Sequence, residues 1–355
     1  MKKIRYANFV LGLGILLLLL AAINGYYTMR YIRVGSNVRW PRGAFKYSSL
    51  MGYEMSPCFS SKMLDDTFSI SSHAFGYRIP ISADKTAIES GGVMSVGCSF
   101  TYGDGVEAEQ TFTCLLADKL GLPAYNYGLC SSSYTTMIMR LKLMKENNML
   151  SILKPRILIL SAGNWLVERS LSPFIPSGSN IAMVFPYIVK KHGHLQIRFP
   201  PDFFSLRHMF FLESKCFPSG IKKRSEIRHF TCFHSMFLLM PRVFLLNLWE
   251  TMFRRPDIDS YELYDFVIGE IKRIIAPYGT QFVILWMPAN ENDTLDNGLK
   301  KALRRHPDVI LVNGAQALKR YGVDTRQYSG IHPQYKAHEA YANEIFLHLP
   351  EYLKN

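Results

Sequence analysis

Between residues 90 and 164 the apolar positions switch repeatedly between a strand-like and a helix-like pattern. The short run from Val93 to Val96 reads as a strand. "PRILILSAGN" (155–164) is near-continuously apolar, as a parallel strand buried on both faces requires. "PAYNYG" (123–128) reads as a shorter strand and turn. Between these, "EQTFTCLLADKLG" places Phe112, Leu115, Leu116 and Leu120 on one helical face, with Gly121 as its stop, and residues 134–150 predict a second helix. The alternation returns near residue 260. "YELYDFVIGEIKRIIAPYG" reads as helix, 281–288 as strand, "DNGLKKALRRH" as helix and 308–314 as a last strand. Tyr341, Ile345 and Leu349, four apart, predict a closing helix. Strands alternating with helices imply βαβ units: a mainly parallel sheet with helices on both faces, in three α/β/α layers.

Two stretches do not alternate. Residues 30–89 read as an irregular, Ser- and Tyr-rich lead-in, and 165–259 as a basic, aromatic insertion or lid within an α/β domain spanning 90–355. Inside that insertion, "MFLLMPRVFLLNLW" contains Pro241 and Arg242 and too few apolar residues for a span, so it reads as a core or interfacial helix. Residues 1–29 are different: "MKKIR" precedes an apolar run from Phe9 to Ile23, and Tyr26 and Tyr27 follow where an interfacial aromatic belt falls. Residues 22–25 fit a cleavage site poorly, which favours an uncleaved transmembrane anchor or signal-anchor over a signal peptide. A short leading tail before a long domain predicts a single-pass membrane protein with its domain on the extracytoplasmic, periplasmic side.

Composition adds limits. Of 355 residues 48% are hydrophobic and 19% charged, the balance of a folded chain. The net charge of +13 points to anionic lipid, an acidic polymer or nucleic acid. No zinc-ligand spacing, RNP motif or basic zipper is present, so nucleic acid is disfavoured. Six cysteines (Cys58, Cys98, Cys114, Cys130, Cys216 and Cys232) form no CxxC and leave any disulfide pairing open. His192 and His194 have no further ligand in register, so neither a metal nor another cofactor is expected.

The chemistry concentrates around "GVMSVGCSFTYGDG" (92–105), where Ser99 follows a predicted strand and precedes a helix. Open α/β sheets place their sites at such carboxyl ends. A serine hydroxyl needs a base within reach and donors aimed at the developing oxyanion. Gly128 follows the second strand and offers a backbone N–H. Asn164 follows the third and offers a side-chain amide. His332 in "YSGIHPQ" precedes the last helix. Alone, each reads as a turn, cap or structural residue; together they make up an acyl-transfer site.

These segments resemble the SGNH, or GDSL-like, hydrolases. "GCSFTYG" (97–103) resembles the first sequence block of that family, commonly Gly-Asp-Ser before a small or apolar residue and Thr. "NYG" (126–128) is similar to the second block, "AGN" (162–164) to the third and "SGIHP" (329–333) to the fifth. The resemblance covers about 90–164 and 260–345 and implies a flavodoxin-like fold without cofactor. It implies Ser99 as nucleophile, and the Ser99 N–H, Gly128 N–H and Asn164 side chain as the oxyanion hole. His332 is implied as general base and then general acid. Cys98 stands where the family has Asp, Ala162 where it often has Gly, and Trp165 where it often has Asp. The family acid three residues before the histidine is Ser329 here, leaving Ser329, Asp324 or a backbone carbonyl to orient the imidazole. Cys98 is the alternative nucleophile, disfavoured because it points away from the turn that presents Ser99. The reading is a membrane-anchored serine ester hydrolase or O-acyltransferase acting on an acyl ester of envelope glycan or lipid. The alternative is a catalytically degenerate domain that binds glycan or a membrane partner.

Overall fold

The computed structural model describes residues 41, 43–48, 50–63, 66–172, 185–199, 258–324 and 332–354, with helical residues 12–15, 18, 19 and 22 near the N-terminus. The chain divides into two units, one of 1–38, 176–182 and 211–254, the other containing the rest. Of the first unit, the described residues are the N-terminal helical ones, and their apolar side chains Leu13, Ile15, Leu18 and Leu19 are exposed. Among the described residues no helix is long and apolar enough to cross a membrane. Most of the anchor predicted over 1–29 lies outside them.

The second unit begins with two antiparallel hairpins, β1 (Phe45–Ser48) with β2 (Gly52–Met55) and β3 (Ser60–Lys62) with β4 (Ser69–Ser71). This part of 30–89 is therefore ordered, not the irregular lead-in expected. Tyr53, Met55, Met63, Phe68 and Ile70 build a small core with Tyr102 and Leu129. The βα alternation follows: β5 (Val93–Gly97), α1 (Ser99–Tyr102), α2 (Phe112–Leu120), β6 (Ala124–Gly128), α3 (Tyr134–Glu146), α4 (Met149–Leu153), β7 (Ile157–Ala162) and α5 (Asn164–Leu171). A hairpin of β8 (Tyr187–Lys191) and β9 (His194–Arg198) leads out of this half. The alternation resumes with α6 (Ser260–Ile275), β10 (Gln281–Trp286), α7 (Asn297–Leu303), β11 (Ile310–Asn313), α8 (Gly314–Arg320), α9 (Tyr335–His348) and α10 (Glu351–Lys354).

β5, β6, β7, β10 and β11 form one parallel sheet in the order β11-β10-β7-β5-β6. Counted among themselves in chain order, these strands run 2-1-3-4-5 across the sheet, the flavodoxin-like order implied by the resemblance. β5 and β7 are buried at every position, which is why their sequences read as continuous rather than alternating. α2, α8 and α9 pack together, as do α3, α6 and α7, giving the outer layers. Helix ends follow local chemistry. The Asp259 carboxylate accepts the Glu262 N–H at 2.7 Å to start α6, and Gly121 closes α2 at φ 62°. Each fully buried Leu or Ile of these faces contributes about 1.5–3 kcal/mol.

His192 and His194 fall in the β8–β9 hairpin. Lys191 pairs with His194, and His192 (φ 51°) and Gly193 (φ 80°) form the two-residue turn. Lys190 Nζ ties the hairpin to Glu262 of α6 at 2.7 Å. Residues 173–184 and 200–257 of the predicted insertion lie outside the described residues, as do Cys216 and Cys232. The other four cysteines are free thiols.

Candidate functional site

The reversal of strand order places the switch point between β5 and β7, where the crossovers leave to opposite faces and a crevice opens at the carboxyl ends. Ser99 opens α1 just after β5, and Asn164 opens α5 just after β7. The first amides of any α-helix lack an intrahelical acceptor, so both helix starts direct N–H groups to this rim. Ser99 and Asn164 are half-buried.

His332 approaches from the segment before α9. Its Nε2 lies 2.9 Å from Ser99 Oγ, hydrogen-bond distance across 233 residues of sequence. The ring meets Phe100 edge-on at 5.6 Å between centroids, and Phe100 in turn packs on Trp165 at 4.7 Å. Trp165 thus serves as an aromatic wall behind the histidine, which accounts for an indole at this position. Gln334 Nε2 donates to the His332 carbonyl at 3.3 Å. Cys98 is buried in the hydrophobic core.

The turn that carries Ser99 is held by a buried polar network. Thr101 Oγ1 donates to Ser161 Oγ at 2.6 Å, and Asn126 Nδ2 donates to the Thr101 carbonyl at 2.9 Å. Gly97 must be glycine, because a Cβ there would lie 1.8 Å from Thr101 Oγ1. Asn126 Oδ1 accepts from the Gly128 N–H at 2.9 Å and from Ser95 Oγ at 3.4 Å.

That bond corrects one expectation. The Gly128 N–H, expected as an oxyanion donor, is directed to Asn126. Its glycine character has a steric cause instead: a Cβ would lie 2.2 Å from Tyr102 N. The turn beyond it carries a feature unseen in the sequence, Ser131 in the left-handed region at φ 58°, a strain that clusters at functional sites. Of the two orienting candidates, Asp324 is half-buried in the segment after α8, and Ser329 lies outside the described residues.

Two further residues escaped sequence reading. Asp104 Oδ2 lies 3.6 Å from His332 Nε2. Arg78 is 1% exposed, and its guanidinium donates to the carbonyls of Tyr102 (2.5 Å), Gly103 (2.9 Å), Val106 (2.6 Å) and Ser69 (3.2 Å). It stacks 4.5 Å from the Tyr102 ring centroid. The "GDG" at 103–105 was the available signal: two glycines around an acid mark a tight turn beside the serine.

No family model matches this chain, and no curated protein matches it. Among solved structures it is similar to a protein from Desulfitobacterium hafniense DCB-2 described as lipolytic and of the G-D-S-L family. The alignment covers 72% of this chain and 98% of that one, at 11% identity and a TM-score of 0.34.

Proposed function

We propose that this chain is a serine ester hydrolase or O-acyltransferase, with Ser99 as nucleophile and His332 as base. The observation that carries the reading is the 2.9 Å contact between Ser99 Oγ and His332 Nε2 at the switch point of the sheet. His332 Nε2 takes the Ser99 hydroxyl proton as Oγ attacks the acyl carbon, then returns it to the leaving oxygen. The Ser99 N–H and the Asn164 side chain stabilise the developing oxyanion. Water or a sugar hydroxyl then accepts the acyl group by the same proton path in reverse.

The substrate we assign is an acyl ester of envelope glycan or lipid. Its support is the net charge of +13 and the apolar run from Phe9 to Ile23, read as a single-pass anchor with the domain on the extracytoplasmic side. The test is labelling of the full-length protein in detergent with a fluorophosphonate probe, beside Ser99→Ala and His332→Ala. The expected result is labelling of wild type that is abolished in the first variant and falls at least about hundredfold in the second. A folded wild type that does not label, or labelling that survives Ser99→Ala, overturns the reading. The first outcome favours a domain that binds glycan or a membrane partner without catalysis.

A further inference from the structure

The base of a serine site gains from a negative charge that stabilises its imidazolium, and Ser329 supplies none. The carboxylate of Asp104 is 3.6 Å from the same imidazole nitrogen that faces Ser99. Its side chain is 11% exposed and that of His332 19%, so water screens the pair little.

The turn that carries Asp104 is built to hold it there. The amides of Gly103 and Asp104 both donate to the Ser99 carbonyl, at 3.0 and 3.1 Å. Gly103 (φ 81°) and Gly105 (φ 103°) flank it in the left-handed region, which bends the chain back toward the serine. Arg78 grips this turn through the carbonyls of Tyr102, Gly103 and Val106. A Cβ on Gly103 would lie 2.5 Å from Thr111 Cγ2 and 3.0 Å from Arg78 Nη1, so the turn and the guanidinium are fitted to each other.

Taking the acyl-transfer reading of the site as its basis, we propose that Asp104 is the electrostatic partner of His332. It acts from the Nε2 side, where the family acid would act on Nδ1, and Arg78 positions it. When Ser99 Oγ bonds to the acyl carbon, its proton moves to Nε2, and the new imidazolium lies against Asp104. When the ester C–O bond breaks, that proton passes to the leaving oxygen and the imidazole is neutral again. Asp104 stabilises the charged state of the base rather than accepting the proton.

The titratable and charged groups around the pair are Arg78, Arg169, Tyr102, Cys98, Cys130 and His338. Burial raises the Cys130 thiol and the Tyr102 hydroxyl and holds His338 neutral, its pKa pushed down to about 3.

The test is an NMR titration of the His332 ring in the full-length protein, identified by its loss in His332→Gln, for wild type and Asp104→Asn. Removing the carboxylate is expected to lower the His332 midpoint by about one pH unit or more. The acid limb of fluorophosphonate labelling against pH moves down with it, and the labelling plateau falls about tenfold or more. An unmoved His332 midpoint in a folded Asp104→Asn protein overturns the proposal, even if labelling falls, because a purely structural role leaves the midpoint in place. Asp104→Ser repeats the test should Asn disturb the fold. The NMR readout does not need catalysis. A midpoint that moves in a protein that never labels keeps the Asp104–His332 coupling and rejects the acyl-transfer reading.

Discussion

Gly128→Ala separates the two explanations for this glycine. If its N–H is an oxyanion donor, alanine keeps that N–H and little is lost. If close packing is the cause, the substitution displaces the nucleophile. The added Cβ would lie 2.2 Å from Tyr102 N and 2.6 Å from both Thr101 C and Tyr102 Cα, all of them backbone atoms. Ordinary contact begins at about 3.5 Å, so α1 must move by more than about 1 Å. That shift strains the bonds from Asn126 Nδ2 to the Thr101 carbonyl (2.9 Å) and from Thr101 to Ser161 (2.6 Å). Overpacking costs about 1–3 kcal/mol and each weakened hydrogen bond about 1 kcal/mol, so a loss of about 3 kcal/mol is expected. For a domain of this size that lowers Tm by about 6–12 °C. Because Ser99 begins α1, labelling by a fluorophosphonate falls about hundredfold, the effect of a 1 Å misplacement. Thermal unfolding followed by circular dichroism, with labelling rates at 25 °C, reads both quantities. A variant that melts within about 2 °C of wild type and labels at its rate refutes the packing argument.

Arg78→Met leaves the carbonyls of Tyr102, Gly103, Val106 and Ser69 without their cationic donor, and a loss of about 3 kcal/mol is expected in urea unfolding, at about 1 kcal/mol or more for each buried carbonyl left unpaired; an unchanged urea midpoint would refute the clamp. His338 predicts acid lability. Phe112 N–H donates to its Nδ1 at 3.3 Å, and its buried Nε2 has no hydrogen-bond partner among the described residues, so charging it in the folded state is costly. Its pKa is lowered to about 3 from 6.5, so below pH 6.5 the unfolded chain takes up this proton first. Stability is therefore full above about pH 6.5 and falls by about 1.4 kcal/mol per pH unit toward about pH 3. His338→Gln keeps an acceptor without that proton uptake, and its stability is expected to fall less steeply between pH 6.5 and 4. Parallel curves for the two proteins would contradict the assignment.

Much of the fold was legible because its strands carry their burial in local composition. The runs at 93–96 and 155–164 read as strands buried on both faces, and β5 and β7 are buried throughout. The helix after Ser99 was set by Phe112, Leu116 and a glycine stop, and α2 ends at that Gly121. β1 to β4 were not legible, since strands of three and four residues are too short to show a period. Ser99, Asn164 and His332 stood out because each follows a strand or precedes a helix, and of these the structure brings Ser99 and His332 to hydrogen-bond distance. Asn126 was noted as part of a motif, but its task of tying the Gly128 amide to the Thr101 carbonyl was not.

What the sequence determined by itself was the βα alternation of the central sheet and several positions where the chain must turn, because hydrophobic period and glycine placement are local properties. The tertiary structure decided which side chains share a crevice. The 2-1-3-4-5 strand order makes β5 and β7 neighbours, so that the helices opened by Ser99 and Asn164 start from adjacent strands, and the return of the chain before α9 brings His332 to 2.9 Å from the serine. Whether Gly128 directs its N–H to a substrate or to Asn126, and whether Asp104 faces solvent or an imidazole, depends on contacts between segments far apart in sequence. Strand order and packing set those contacts, and no local pattern encodes them.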